Sequence, residues 1–253
     1  MLERHKTILE ILQSQGSVSV TDLAGRLNVS EVTIRKDLTL LESESLLYRT
    51  HGKAIPISPY TGNRHVNEKE HQAVQEKRAI GRQAASMVAS KDTILIASGT
   101  TILYAAKEMV ECEELTVITA SVPVSQVLSQ SRSIDVIQLG GQVRESALSV
   151  VGPFAENMLG YFNASKLFIG ADGVDLDFGI TTTNMMEANL NRMMMDCAQK
   201  TILLVDSSKF GKRGFSKICG IDKIDQIITD EKIPQKYLEA LQELGIEVTV
   251  VKA

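Results

Sequence analysis

Ser30-Glu31-Val32-Thr33-Ile34-Arg35-Lys36-Asp37-Leu38-Thr39-Leu40-Leu41-Glu42 combines a helix start, an apolar stripe and two adjacent cations. Ser30 is placed to cap a helix by accepting an N–H from its first turn. Ile34, Leu38 and Leu41 recur at helical spacing and predict a buried face, which leaves Val32, Thr33, Arg35, Lys36 and Thr39 on the far side. Free N–H groups at the helix start, the Ser30 and Thr33 hydroxyls, and the Arg35 and Lys36 cations suit phosphates and guanine edges. A plain helical hairpin with a solvated charged face is the alternative reading.

The flanks favour DNA. Upstream, Val20, Leu23, Ala24 and Leu27 fall at i, i+3, i+4 and i+7 behind a Ser19 cap, and that helix ends at Asn28-Val29, directly before Ser30. Two short helices joined so tightly make a helix-turn-helix. Before them, Ile8, Leu9, Ile11 and Leu12 predict an amphipathic helix over 2–15 with Gly16 as its C-terminal cap. Downstream, Leu46-Leu47-Tyr48-Arg49 and Ala54-Ile55-Pro56-Ile57 flank Thr50-His51-Gly52-Lys53, a hairpin that reads as a wing. Arg49, His51 and Lys53 then fall near its tip, suited to flanking phosphates. The expected DNA contacts are Ser30, Val32, Thr33, Arg35, Lys36, Thr39, Arg49, His51 and Lys53.

With 253 residues, 43% hydrophobic and 23% charged, the chain has room for a small and a medium domain. The net charge of −4 argues mildly against nucleic acid, but seven cations balance seven anions in residues 1–57, so the negative excess lies elsewhere. Phosphate contacts depend on local charge, and a neutral module suffices if its cations share a face. The apolar runs are too short to cross a bilayer and the N-terminus is amphipathic rather than signal-like, so a cytoplasmic protein with no membrane partner is expected. Cys112, Cys197 and Cys219 lie far apart, which suggests neither a metal site nor disulfides.

Pro56-Ile57-Ser58-Pro59-Tyr60-Thr61-Gly62-Asn63 is rich in turn formers and predicts a boundary: a winged helix-turn-helix over 1–57, a linker over 58–76 and a larger domain over 77–253. In the larger part, helical stretches alternate with short apolar runs at 93–97, 115–119, 134–139, 166–169, 201–205, 226–228 and 247–251. That rhythm predicts an α/β domain with a mainly parallel sheet, whose ligands bind beyond the strands' carboxyl ends. Loops there offer chemistry for a small phosphorylated polyol. Ser98-Gly99-Thr100-Thr101 supplies N–H groups and hydroxyls for phosphate. Gly140-Gly141 with Arg144 supplies close backbone and a guanidinium. Asp172 can accept from hydroxyls, and Lys209 in Asp206-Ser207-Ser208-Lys209 adds a cation. Glu187 heads a methionine-rich helix and can face the same cleft, or can simply complement the helix dipole. The methionines, Met185 to Met195, read as core or subunit-interface filler.

Val32-Thr33-Ile34-Arg35-Lys36-Asp37-Leu38 followed by Arg49-Thr50-His51-Gly52 resembles the winged helix of DeoR-family bacterial sugar-operon regulators. Ser98 to Thr101, Gly140-Gly141 with Arg144, Gly170-Ala171-Asp172-Gly173, Glu187 and Asp206 to Phe210 resemble that family's effector domain, itself similar in fold to ribose-5-phosphate isomerase. The resemblance covers nearly the whole chain. It departs at Lys53 and Ser45, where the family has glycines, and at Ala97, where it often has aspartate.

The resemblance implies a repressor of a sugar-catabolic operon, released or modulated by a phosphorylated sugar bound at Ser98, Gly99, Thr100, Thr101, Gly140, Gly141, Arg144, Asp172, Glu187 and Lys209. Its expected partners are double-stranded operator DNA, that effector and further copies of itself as a dimer or tetramer. No catalytic residue, cofactor or metal is expected. A sugar-phosphate isomerase with an appended DNA-binding domain, using Glu187 as base and Lys209 as electrophile, stays open. So does a ligand-free architectural DNA-binding protein.

Overall fold

The computed structural model describes residues 3–15, 18–43, 46–50, 53–56 and 70–253. By backbone proximity the chain divides into two units, Met1–Gly62 and Asn63–Ala253. The expected Gly16 cap, the His51 contact and most of the 58–76 linker lie outside the described residues.

The first unit packs three helices, α1 (Glu3–Gln15), α2 (Val20–Leu27) and α3 (Glu31–Ser43), against a small antiparallel sheet. Ser19 caps α2 by accepting from the Asp22 N–H at 3.0 Å, and Asn28 ends it in the left-handed region at φ 50°. Asparagine tolerates that region, which turns the chain within two residues. Ser30 Oγ then accepts from the Thr33 N–H at 3.2 Å and starts α3. Ile8, Leu12, Leu23, Ile34, Leu38, Leu41 and Leu47 are fully buried between these elements. The sheet joins β1 (Val18–Ser19), β2 (Leu47–Thr50) and β3 (Lys53–Pro56) in the order β1-β3-β2, with Thr50 opposite Lys53 at the hairpin end. Asp37 is buried although it is charged: Arg4 grips it with Nε at 2.6 Å and Nη2 at 3.0 Å, and His5 Nε2 stands 3.1 Å away. These contacts tie α1 to α3.

The first helix of the second unit with both ends described is α4 (Val74–Ala85), whose first residues fall inside the 58–76 stretch. Seven parallel strands form its sheet: β4 (Thr93–Ile96), β5 (Leu115–Thr119), β6 (Ile134–Gln138), β9 (Ala164–Ile169), β12 (Ala198–Leu204), β14 (Gln226–Asp230) and β15 (Glu247–Val251). They coincide with the seven apolar runs of the sequence. Their order is β15-β14-β12-β9-β4-β5-β6. Alternate residues face opposite sides: Ile94 and Ile96 pack beneath α4, α5 (Thr100–Met109) and α6 (Val122–Leu128), while Leu95 faces α7 (Pro153–Leu159), α8 (Met185–Asp196) and α9 (Gln235–Glu243). Burial on both faces is why the central strands, β14 above all, read as continuous rather than alternating apolar segments, whereas the edge strands β6 and β15 are half-exposed.

Two smaller antiparallel sheets stand beside the main one: β7 (Gln142–Arg144) with β8 (Ser149–Val151), and β10 (Gly173–Asp175) with β11 (Gly179–Thr182) and β13 (Ser216–Cys219). Of the methionines on α8, Met194 is fully buried and Met193 and Met195 pack against the core, whereas Met185 is largely exposed. Among the described residues no helix is long and apolar enough to cross a membrane.

Candidate functional site

In the first unit, the outer face of α3 forms a shallow groove lined by Val32, Arg35, Lys36, Thr39, Leu40 and Ser43. Val32 is 60% exposed, a large apolar side chain with nothing above it among the described residues. Arg35 Nη2 lies 2.8 Å from Glu31 one turn back, an exposed pair that a phosphate can displace at small cost. Ser30 and Thr33 sit at the helix start with their hydroxyls 2.9 Å apart.

Arg49 departs from the expected position at the wing tip. Its backbone is one pair from the hairpin end, but its guanidinium folds back onto α3, with Nη1 2.6 Å from Thr39 Oγ1 and Nε 2.9 Å from Glu42 Oε2. The Glu42 carboxylate also accepts the Arg49 N–H at 3.0 Å, and this double anchor is the physical reason. Lys53 remains exposed at the end of β3, opposite Thr50.

In the second unit, β12, β9 and β4 are neighbours, and all seven parallel strands end on one edge. The chain runs from β4 outward to β6 and returns to β9 on the other side of β4. The order therefore reverses between β4 and β9, the place where an open α/β sheet leaves a crevice. The cleft found there holds about 700 Å³ with its mouth included. Ser98 to Thr101 follow β4, Gly170 to Asp172 follow β9, and Lys209 follows β12, so three adjacent strands deliver three of the predicted groups.

Gly99 precedes α5 at φ 130°, a conformation that L side chains rarely adopt, and no side chain caps this helix. Its first N–H groups are thereby presented at the cleft. Glu187 enters from α8, where Asn184 Oδ1 accepts the Glu187 N–H at 3.1 Å and orients the first turn. Its carboxylate is held from three directions: Ser98 Oγ donates at 2.6 Å, Arg144 Nη1 at 2.7 Å, and Thr182 Oγ1 stands 3.2 Å away. Thr182 Oγ1 is also 3.2 Å from Asp172 Oδ2, which accepts the Thr183 N–H at the same distance. Two carboxylates thus converge on one hydroxyl, and the Arg144 guanidinium offsets their repulsion. Lys209 Nζ stands 3.9 Å from Asp206 Oδ2, a loose pairing.

Eight of the ten expected effector residues line this cleft: Ser98, Gly99, Thr100, Thr101, Arg144, Asp172, Glu187 and Lys209. Gly140 and Gly141 do not; they border a separate groove with Gly152, Phe154 and Met158. Gly141, at φ 142°, lies so close to β8 that a Cβ would come 2.9 Å from Val150 Cγ1 and 3.0 Å from the Val151 carbonyl oxygen. The two glycines serve the hairpin that carries Arg144 back to the cleft. Ala97 is buried in the core rather than in the cleft. Ser146, Thr182, Thr183 and Asn191 also line the site, though their sequence context assigns them no role.

Known proteins match both units. A family model described as DeoR-like helix-turn-helix domain matches residues 4–59, and one described as DeoR C terminal sensor domain matches residues 72–231. The chain is 38% identical over 249 residues to YulB of Bacillus subtilis, named as an uncharacterized HTH-type transcriptional regulator, covering 98% of this chain and 96% of that one. It is 34% identical over 231 residues to the lactose phosphotransferase system repressor of Streptococcus mutans, covering 90% and 91%. It is 31% identical over 246 residues to the HTH-type transcriptional regulator GlpR of Haloferax volcanii, covering 97% and 96%. Among solved structures, ribose 5-phosphate isomerase from Plasmodium falciparum overlaps with a TM-score of 0.40 at 16% identity, over 55% of this chain and 54% of that one. So slight a likeness carries no weight for activity or ligand. The winged helix with its exposed α3 groove, the sensor-domain match and relatives aligned along nearly the full length lead to one conclusion: the chain belongs to the DeoR family of DNA-binding transcriptional regulators.

Proposed function

We propose that this regulator represses a sugar-catabolic operon and that a phosphorylated sugar, bound in the second unit, changes its affinity for operator DNA. The observation that carries the reading is the meeting of a strand-to-helix phosphate turn, a lysine and two carboxylates in one cleft. Phosphate takes the N–H groups and hydroxyls of Ser98 to Thr101 with Lys209 as counter-charge, and Asp172 and Glu187 accept from sugar hydroxyls. Arg144 orients Glu187. Effector affinity that differs between two conformations drives the switch, and operator affinity changes reciprocally. The relative named as a lactose phosphotransferase system repressor supports this class of role.

The protein acts in the cytoplasm as a homo-oligomer, because a palindromic operator needs two recognition helices about one helical turn apart. It acts as a regulator rather than an enzyme, in keeping with the regulator family that its two domains match. The test is a mobility shift on the promoter DNA beside its own gene, repeated with a panel of phosphorylated sugars. Operator binding that one of them releases supports the reading. Binding that none alters makes the protein architectural, and turnover of a sugar phosphate makes it an isomerase.

A further inference from the structure

Helix α8 turns two polar side chains toward the cleft, one helical turn apart. Glu187 is satisfied by Ser98, Arg144 and Thr182. Asn191, four residues on and on the same face, is not. It lines the cleft, only 6% of its surface is exposed, and its side-chain amide makes no hydrogen bond with any described residue. Its neighbours Ala188, Leu190 and Met194 are apolar and buried. Asparagine is a poor helix former, and although the residue is largely buried its amide is not among the fully enclosed unpartnered groups, so it opens onto the cleft. A leucine would be the better helix former there.

We infer that Asn191 is a specificity residue, which reads a neutral polar group of the bound ligand that both donates and accepts, a hydroxyl or an acylamino group. The inference rests on the cleft being a sugar-phosphate site. The amide carries no charge, whereas the cleft already holds Lys209 for the anion and Asp172 and Glu187, which as carboxylates only accept. What Asn191 adds to them is simultaneous donation and acceptance. A site that hydrogen-bonds such a group rejects analogues lacking it, because the amide, once covered by the ligand, is then left unmatched. Phosphate at Ser98 to Thr101 supplies affinity common to many sugar phosphates; Asn191 sorts among them.

The experiment is calorimetric titration of the full chain, wild type and Asn191→Leu, with inorganic phosphate and with glucose 6-phosphate, galactose 6-phosphate, N-acetylglucosamine 6-phosphate and ribose 5-phosphate. The tightest sugar phosphate should lose about tenfold to a hundredfold in affinity in the variant. Inorganic phosphate should change by less than about twofold, and the unliganded melting temperature should hold, since leucine is the better helix former at this position. Equal losses for phosphate and sugar phosphate, or an unchanged sugar affinity, overturn the assignment to Asn191 alone. No binding of any probe by the wild type overturns both it and the cleft reading. Should Asn191→Leu fail to fold, Asn191→Ala in the same titrations tests for the same selective loss of sugar-phosphate affinity.

Discussion

Arg144 and Glu187, 43 residues apart in sequence, meet with Nη1 2.7 Å from Oε2 while their side chains are only 10% and 14% exposed. Nearly buried ion pairs cost desolvation that only good geometry offsets, so breaking one from a single side leaves an unmatched charge. Glu187→Gln and Arg144→Met should each lower stability by about 2–3 kcal/mol, and the double variant by less than their sum. Denaturant unfolding of the four proteins gives the coupling. Additive losses would mean that the two side chains do not act as a pair.

The two cations on the DNA face should behave differently. Lys36 lies exposed in the α3 groove, and Lys36→Ala should weaken binding of operator and unrelated DNA alike while lowering the salt slope by about one. Arg49 is committed to Thr39 and Glu42, so Arg49→Ala should loosen the wing and raise hydrogen exchange in the first unit before any DNA is added. Identical salt slopes for wild type and Lys36→Ala would remove Lys36 from the phosphate contacts.

The Arg4 guanidinium holds the Asp37 carboxyl below the usual carboxylate value, outweighing the upward push of burial, and His5 assists. A group whose pKa is depressed on folding stabilises the fold above its unfolded pKa. That contribution fades as pH falls through the folded value. Acidification from about pH 5 downward should therefore weaken the first unit. Asp37→Asn, which cannot ionise, should be less stable at neutral pH by about 2–3 kcal/mol and lack this acid-dependent step. Hydrogen exchange in α1 and α3 across that pH range reports both; parallel profiles would be incompatible with this role for Asp37.

Burial pushes the Cys219 thiol up to about 12 and raises Cys112 and Cys197 as well. At pH 8 the Cys219 thiolate fraction is on the order of one in ten thousand. Iodoacetamide should label Cys219 last in the folded protein, as followed by peptide mass spectrometry. Labelling of Cys219 as fast as Cys112 would show that the thiol is not shielded.

Central strands buried on both faces betray themselves as apolar runs, and the half-exposed edge strands β6 and β15 still show short ones, which is why all seven were legible. The three-residue strands β7, β8 and β10 were not, because their partners are set by tertiary contact rather than by local pattern. Cleft residues after strand ends, such as Ser98, Asp172 and Lys209, could be found by rule. Asn191 could not, since packing rather than a strand end turns that helix position toward the cleft. Nor could the Arg4 and His5 grip on Asp37, which joins groups 33 and 32 residues apart, or the Arg49 side chain, whose direction depends on Glu42.

The cleft borrows from segments scattered between Ser98 and Lys209, and two of its walls, Asp172 and Lys209, follow β9 and β12, which pair with each other in the middle of the central sheet. No fragment carrying a subset of those strands can display it. A nascent or nicked chain is consequently blind to whatever occupies the site, and occupancy of the cleft certifies that the middle of the sheet has closed.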